Sequence, residues 1–253
     1  MRPRATVIAY HAVGNVPPQD DPHELVISKE TFEAQMAYLA HNREVVSLEA
    51  LVEEKARSAK PIVAITFDDA YRSVLSTAAP ILWRYGFPST VFVPTAWIGR
   101  DNGWIGPPSR ALEIMDGREL VEAAARGMEV ESHGHVHTNY AESDQNAIEG
   151  DVRKSIECLT DILGRRPRYL AYPYGPTSPD ACSIVSRSGL EAAFTLERPH
   201  SGRFAFERVW IRPRYGLQVF ALKTSGYWSA SWRWSKAGRV GAALVRSIVG
   251  RSN

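Results

Sequence analysis

The chain has 253 residues, 44% of them hydrophobic and 23% charged, and 30 Lys and Arg against 28 Asp and Glu leave a net charge of +2. This ordinary globular composition excludes intrinsic disorder, a collagen-like repeat and a disulfide scaffold, and so small a charge is no footprint of nucleic-acid binding. A chain of this length buries enough surface to fold unaided, so a metal site within it would serve chemistry.

In chain order, Thr6 to Tyr10 reads as a strand. A helix follows from a Ser28 cap to about His41, with apolar contacts at Phe32, Met36 and Leu39. Val45-Val46 is a short strand, Leu48 to Ala59 a helix, and Pro61 to Phe67 a buried strand. Val74 to Tyr85 is a helix closed by Gly86, and Ser89 to Val93 a strand. After a Gly/Pro/Asn/Trp loop over 99–109 come a helix ending near Gly127 and a strand from Met128 to Ser132. Asp144 to Leu163 is the longest helix, closed by Gly164. Then come strand Tyr169 to Tyr172, helix Pro179 to Ser188, strands Ala192 to Thr195 and Arg208 to Ile211, and a helix over about 217–224. Alternating strands and helices predict parallel pairing through right-handed crossovers. Seven or eight such units predict a barrel, whose chemistry sits where the strands end.

Those strand ends carry the informative residues. The strand ending at Phe67 runs into Asp68-Asp69, and that ending at Ser132 runs into His133-Gly134-His135-Val136-His137. An Asp pair alone also fits a helix cap or a solvated loop, but three histidines within five residues do not. On a helical turn His133 and His137 share one face, and His135 points away. Two neutral imidazoles and one carboxylate with an open position make a catalytic zinc arrangement, which leaves the second Asp free as a base. A third strand ends in Ala171-Tyr172-Pro173-Tyr174-Gly175, a tight turn whose backbone amide can face the same pocket and stabilise an oxyanion.

These segments resemble the motifs of the polysaccharide deacetylases, the NodB-homology group or carbohydrate esterase family 4. Thr66-Phe67-Asp68-Asp69-Ala70 resembles the first motif, Ser132 to His137 the second, and Pro173-Tyr174-Gly175 the end of the third. The resemblance spans roughly residues 5 to 225, including Tyr85-Gly86-Phe87-Pro88-Ser89-Thr90. It implies an α/β fold, a distorted (β/α) barrel of about seven parallel strands in a single domain. It implies hydrolysis of an N-acetyl, sometimes O-acetyl, group on a sugar. By the same resemblance Asp68 is the general base, and Asp69, His133 and His137 hold the metal, expected to be Zn2+ or another divalent ion such as Co2+ or Ni2+. The backbone amide of Tyr174 helps hold the oxyanion.

Two departures stand out. The third motif usually opens with an Arg that pairs with the catalytic Asp, but Ala171 stands there, so Asp68 must be oriented from elsewhere. The late Leu-x-His motif that supplies the general acid is missing. Ala9-Tyr10-His11-Ala12-Val13 resembles instead the N-terminal Tyr-His motif of the poly-N-acetylglucosamine deacetylase branch, which assigns the acid to His11, with His135 the fallback.

The barrel is expected over 1–226 and a separate tail over 227–253. The tail's Trp228, Trp232 and Trp234 precede a basic helix with Val240, Leu244, Val245 and Ile248 on one side, a membrane-surface pattern that also fits a helix packed on the barrel. No apolar run is long enough for a signal-peptide core or a membrane span, so the expected address is the cytoplasm, with peripheral contact on the inner face of the membrane. The substrate read from this is an N-acetylated amino sugar in a glycan or glycoconjugate, a lipid-linked one if the tail binds membrane. No protein or nucleic-acid partner is expected. The alternatives are hydrolysis of another amide, such as a formyl group or a cyclic ureide, and a catalytically silent glycan binder.

Overall fold

The computed structural model describes residues 5–107, 109, 111–196, 202–226 and 228. Ten strands are described: β1 Ala5–Tyr10, β2 Ala12–Val13, β3 Val26–Ile27, β4 Glu44–Val45, β5 Ile62–Phe67, β6 Ser89–Val93, β7 Met128–Ser132, β8 Tyr169–Ala171, β9 Ala192–Thr195 and β10 Phe206–Trp210. The helices are α1 Lys29–Asn42, α2 Leu48–Val52, α3 Ala79–Tyr85, α4 Gly117–Ala125, α5 Gln145–Leu163, α6 Pro179–Arg187 and α7 Leu217–Lys223. Among the described residues no helix is long and apolar enough to cross a membrane.

Seven parallel strands close on themselves in the order β1, β10, β9, β8, β7, β6, β5 and back to β1. The closing seam is β1 against β5, in register from Ala5↔Ile62 to Tyr10↔Phe67. This is the expected distorted barrel. Part of the distortion lies along β5, whose pairing with β6 begins only at Ile65↔Ser89. Its first two residues pair instead with the short β4, Glu44↔Ile62 and Val45↔Val63. Being covered on both faces, β5, β6 and β9 are buried throughout, as parallel strands in a barrel must be. Phe92, Tyr169, Phe194 and Ala192 pack together with Val7 and Ala64.

The helix starts follow local chemistry. Ser28 accepts the Thr31 N–H at 3.1 Å, and Asp116 and Glu119 form a reciprocal capping box on α4. Gly86 and Gly164 close α3 and α5 in the left-handed conformation, as the sequence predicts.

Several elements differ from the sequence reading. The predicted 74–85 helix is a π-helical turn over Val74–Ala78 followed by α3. Pro80 has no N–H to give to the preceding turn, so the backbone widens there. The predicted 48–59 helix stops at Val52, and Glu54 takes φ +53°. The 133–137 segment is an irregular loop, not the expected helical turn, with φ of +75° at Gly134 and +61° at His137. The small parallel pair β2–β3 (Ala12↔Val26, Val13↔Ile27) was not foreseen.

The predicted tail lies almost entirely outside the described residues. Its first tryptophan, Trp228, is buried in the main hydrophobic cluster, with Lys223 Nζ 4.6 Å from its ring centroid.

Candidate metal and catalytic site

The closed barrel brings the ends of β1, β5, β7, β8 and β10 to one rim. A cavity of about 290 Å³ opens there, lined among others by His11, Asp68, Asp69, His133, His137 and Tyr174. Every residue predicted for the site therefore meets in one place.

Hydrogen bonds that continue past the strands fix their ends. The Asp68 N–H donates to Tyr10 O at 2.9 Å, and the His133 N–H to Val93 O at 2.9 Å. Asp69 and Ala70 then take φ of +68° and +51°. Such left-handed non-glycine residues cost roughly 1–3 kcal/mol each and persist only where surroundings enforce them. Here the Met115 N–H donates to Ala70 O at 2.9 Å, and the Arg72 N–H to Glu113 O at 2.8 Å. The reward is that two adjacent carboxylates point in different directions, one toward the histidines and one toward an arginine.

Asp69 Oδ1 lies 3.1 Å from His137 Nε2 and 3.5 Å from His133 Nε2. The ligand atoms of all three residues fall within 4.8 Å of one another, and all three side chains are buried. Burial, the largest influence on His133, outweighs the nearby Asp68 charge and brings its pKa down to about 4. It is therefore neutral at pH 7. Its Nδ1 lies 2.8 Å from Ala171 O, and a carbonyl can only accept, so Nδ1 carries the proton and Nε2 offers a lone pair. Burial pushes the Asp69 carboxyl up, but His137, with smaller help from His11 and His133, more than offsets this and the net direction is down.

A carboxylate oxygen thus faces imidazole nitrogens among buried side chains, and Asp69 Oδ1 has no aligned hydrogen-bond donor. Lone pairs gathered in this way repel unless a cation lies between them. Ligands placed 2.0–2.1 Å from a tetrahedral ion stand about 3.3 Å apart, close to the two spacings seen here. The donor set fits a divalent metal.

Asp68 faces the other way. Arg208 Nη1 and Nη2 donate to its two carboxylate oxygens at 2.6 and 2.8 Å, and Arg208 is only 1% exposed. Nη1 also donates to Thr66 Oγ1 at 3.2 Å, and the guanidinium carbon sits 5.2 Å from the Phe92 ring centroid. Burial raises the Asp68 pKa, but the Arg208 charge leads the groups that outweigh it and leave it below the usual carboxylate value. Arg208 supplies from β10 the pairing that Ala171 cannot supply from β8.

His11 directly follows β1, with its Nδ1 buried and without a hydrogen-bond partner, and its ring lies 5.4 Å from that of Trp210. Tyr174 has φ +63° and is 55% exposed, and its ring centroid is 4.6 Å from that of His137. His135 is turned away as expected, though by the loop and not by a helix: its Nδ1 lies 2.8 Å from Thr95 Oγ1.

Sequence reasoning missed three participants. Trp104 stacks on His137 at 4.4 Å between centroids, and Trp210, with Arg212 4.0 Å over its ring, forms another wall of the cavity. The third is Arg208. Its signal was available, since an arginine in the middle of a barrel strand is almost never buried without a partner.

The comparisons with known proteins agree with this geometry. A family model described as "Polysaccharide deacetylase" matches residues 55–193, more than half of the chain. A poly-beta-1,6-N-acetyl-D-glucosamine N-deacetylase of Staphylococcus aureus (strain MRSA252) is 28% identical over 201 residues, which cover 73% of this chain and 67% of the relative. One from Staphylococcus epidermidis is 26% identical over 233 residues, covering 82% and 78%. In fold, the chain is similar to the Streptococcus pyogenes deacetylase PplD in complex with acetate, at a TM-score of 0.75 and 20% identity over 89% of this chain and 99% of that one. It is also similar to IcaB from Ammonifex degensii, at a TM-score of 0.74 and 24% identity over 88% and 97%. With the motif residues gathered on one rim and the family model spanning all three motif strands, β5, β7 and β8, the chain belongs to the polysaccharide deacetylase family.

Proposed function

We propose that this chain is a metal-dependent hydrolase that removes the N-acetyl group from an amino sugar in a glycan. One observation carries the reading: Asp69, His133 and His137 converge as a buried ligand set beside an Asp68 held by Arg208. The curated relatives supply the substrate class, a β-1,6-linked N-acetylglucosamine polymer.

Asp69, His133 and His137 would hold a divalent ion, zinc or else cobalt or nickel, which when bound would supply Lewis acidity to the site. Asp68 takes the proton of the attacking water. Because Arg208 occupies both of its oxygens, Asp68 is a weak base of fixed direction. The Tyr174 N–H, which has no acceptor among the described residues, donates to the oxygen that gains charge in the tetrahedral intermediate. His11 returns a proton to the leaving nitrogen, since an amine anion is too basic to depart. Trp104 and Trp210 flank the cavity as apolar walls for the sugar ring.

The test is acetate release from β-1,6-linked N-acetylglucosamine oligomers by the zinc-loaded protein. Acetate should appear, stop on chelation and resume on adding zinc back. Formate released from an N-formyl analogue with none from the acetyl substrate would favour the other-amide reading. Tight glycan binding with no product from either would favour the silent binder.

A further inference from the structure

We propose that Asp151, on the buried face of α5, is a positioning residue that holds the His133–His137 loop in its metal-binding shape. The proposal rests on the metal-site reading above, and concerns how an irregular loop keeps two imidazoles aimed at one point.

Asp151 is 6% exposed, and both its oxygens are taken. Oδ2 accepts the His135 N–H at 2.7 Å and the Tyr140 hydroxyl at 2.6 Å, and Oδ1 accepts the Val136 N–H at 2.9 Å. The two amides belong to consecutive residues between the histidines, and Tyr140 lies just beyond them. One helical turn along α5, the Ser155 hydroxyl meets that of Ser132, which accepts the Gly134 N–H at 3.2 Å. The loop carbonyls are held from the opposite side: the Thr95 N–H donates to Gly134 O at 3.1 Å, the Ala96 N–H to His135 O at 2.9 Å, and Trp97 Nε1 to Val136 O at 3.3 Å. Backbone amides in a loop this closely packed need acceptors, and one carboxylate provides them for two consecutive residues.

Gly134 is bound to this arrangement. At its φ of +75° an added Cβ would stand 2.6 Å from Asp151 Oδ2 and 2.9 Å from the Tyr140 hydroxyl oxygen. The histidines depend on the clamp unequally. His133 has its own restraint, the bond from Nδ1 to Ala171 O. His137 Nδ1 has no hydrogen-bond partner, so its ring is aimed by the backbone and by stacking against Trp104 and Tyr174. Asp151 thus stands in for the hydrogen bond that usually orients a ligating histidine, here through the main chain.

Asp151→Asn tests this, because the amide keeps the size but must turn an NH2 toward a loop N–H. Zinc affinity is measured by competition with a chromophoric chelator on metal-free protein, with circular dichroism to confirm the fold. Zinc binding should weaken by about 10–100-fold, the usual effect of removing a group that orients a metal ligand. In the metal-free protein the His135 and Val136 amides should exchange hydrogen faster than in wild type. A folded variant with unchanged zinc affinity and unchanged exchange overturns the proposal. If Asp151→Asn does not fold, the pair Tyr140→Phe and Ser155→Ala takes its place. It must still weaken zinc binding severalfold, and unchanged affinity overturns the proposal equally. If wild type binds no metal, the metal reading fails by itself, and the exchange comparison still decides whether Asp151 holds the loop.

Discussion

Replacing Arg208 with Met should separate electrostatic support from packing. The side chain is fully buried and carries two short bonds to Asp68. Methionine fills much of the volume but leaves a buried carboxylate with no counter-charge. Breaking a buried pair by removing one partner costs about 3–5 kcal/mol. At 2–4 °C per kcal/mol for a domain near this size, the melting temperature should fall by roughly 6–20 °C at pH 8. The pH dependence is the sharper signature. In wild type the Asp68 pKa is lowered, so its contribution is present above the unfolded carboxyl value and lost as pH falls through the folded one. In the variant, burial acts without its main opponent and raises the pKa. The variant is then relatively better off below the unfolded value and loses stability as pH rises. The gap between the two proteins should therefore be widest near pH 8 and narrow toward pH 4. Thermal scans of metal-free proteins at both pH values measure it, and Asp68→Asn combined with Arg208→Met should recover much of the loss. A constant gap at all pH values, or a loss under about 1 kcal/mol, would refute the reasoning.

Metal analysis should find about one divalent ion per chain; His133→Ala with His137→Ala should abolish it, and Asp69→Asn should weaken it. Asp68→Asn should keep metal and lose turnover, whereas loss of metal there with retention in Asp69→Asn would reverse the two roles. His11→Ala should lower kcat by about 10²–10⁴-fold at unchanged metal content, and near wild-type kcat would rule it out as the acid. Deleting residues 229–253 keeps Trp228 in the core, so acetate release should survive while binding to anionic liposomes falls. An insoluble or unfolded truncation would show that the deleted stretch is part of the barrel's packing.

The barrel was legible because its cues are local. Strand runs such as Ile62–Phe67, the Ser28 cap and the Gly86 and Gly164 closures each act within a few residues. The proposed metal-ligand set, Asp69, His133 and His137, was legible as a cluster because its members follow strand ends. What escaped was non-local or irregular. Arg208 lies 140 positions from Asp68, and only the closure of the barrel joins them. The 133–137 loop was read as a helical turn because spacing alone cannot distinguish i, i+4 on a helix from a loop bent by Gly134 and His137. Trp104 comes from a loop whose path is set by tertiary pairing, including the Asp101↔Glu113 bridge.

The position of β10 has a consequence for biosynthesis. As the chain is made, β1 can pair with β5 early, since about sixty residues separate them. Its other edge waits for β10, roughly two hundred residues later. Until then the nascent sheet has an open side, a template for unwanted pairing. The strand that covers this edge also carries Arg208 to Asp68, so the proposed base acquires its counter-charge in the same event that seals the sheet. A ribosome-bound fragment lacking β10 would hold every proposed metal ligand and still have no oriented base. The pairing of Asp68 with Arg208 is thereby coupled to synthesis of β10.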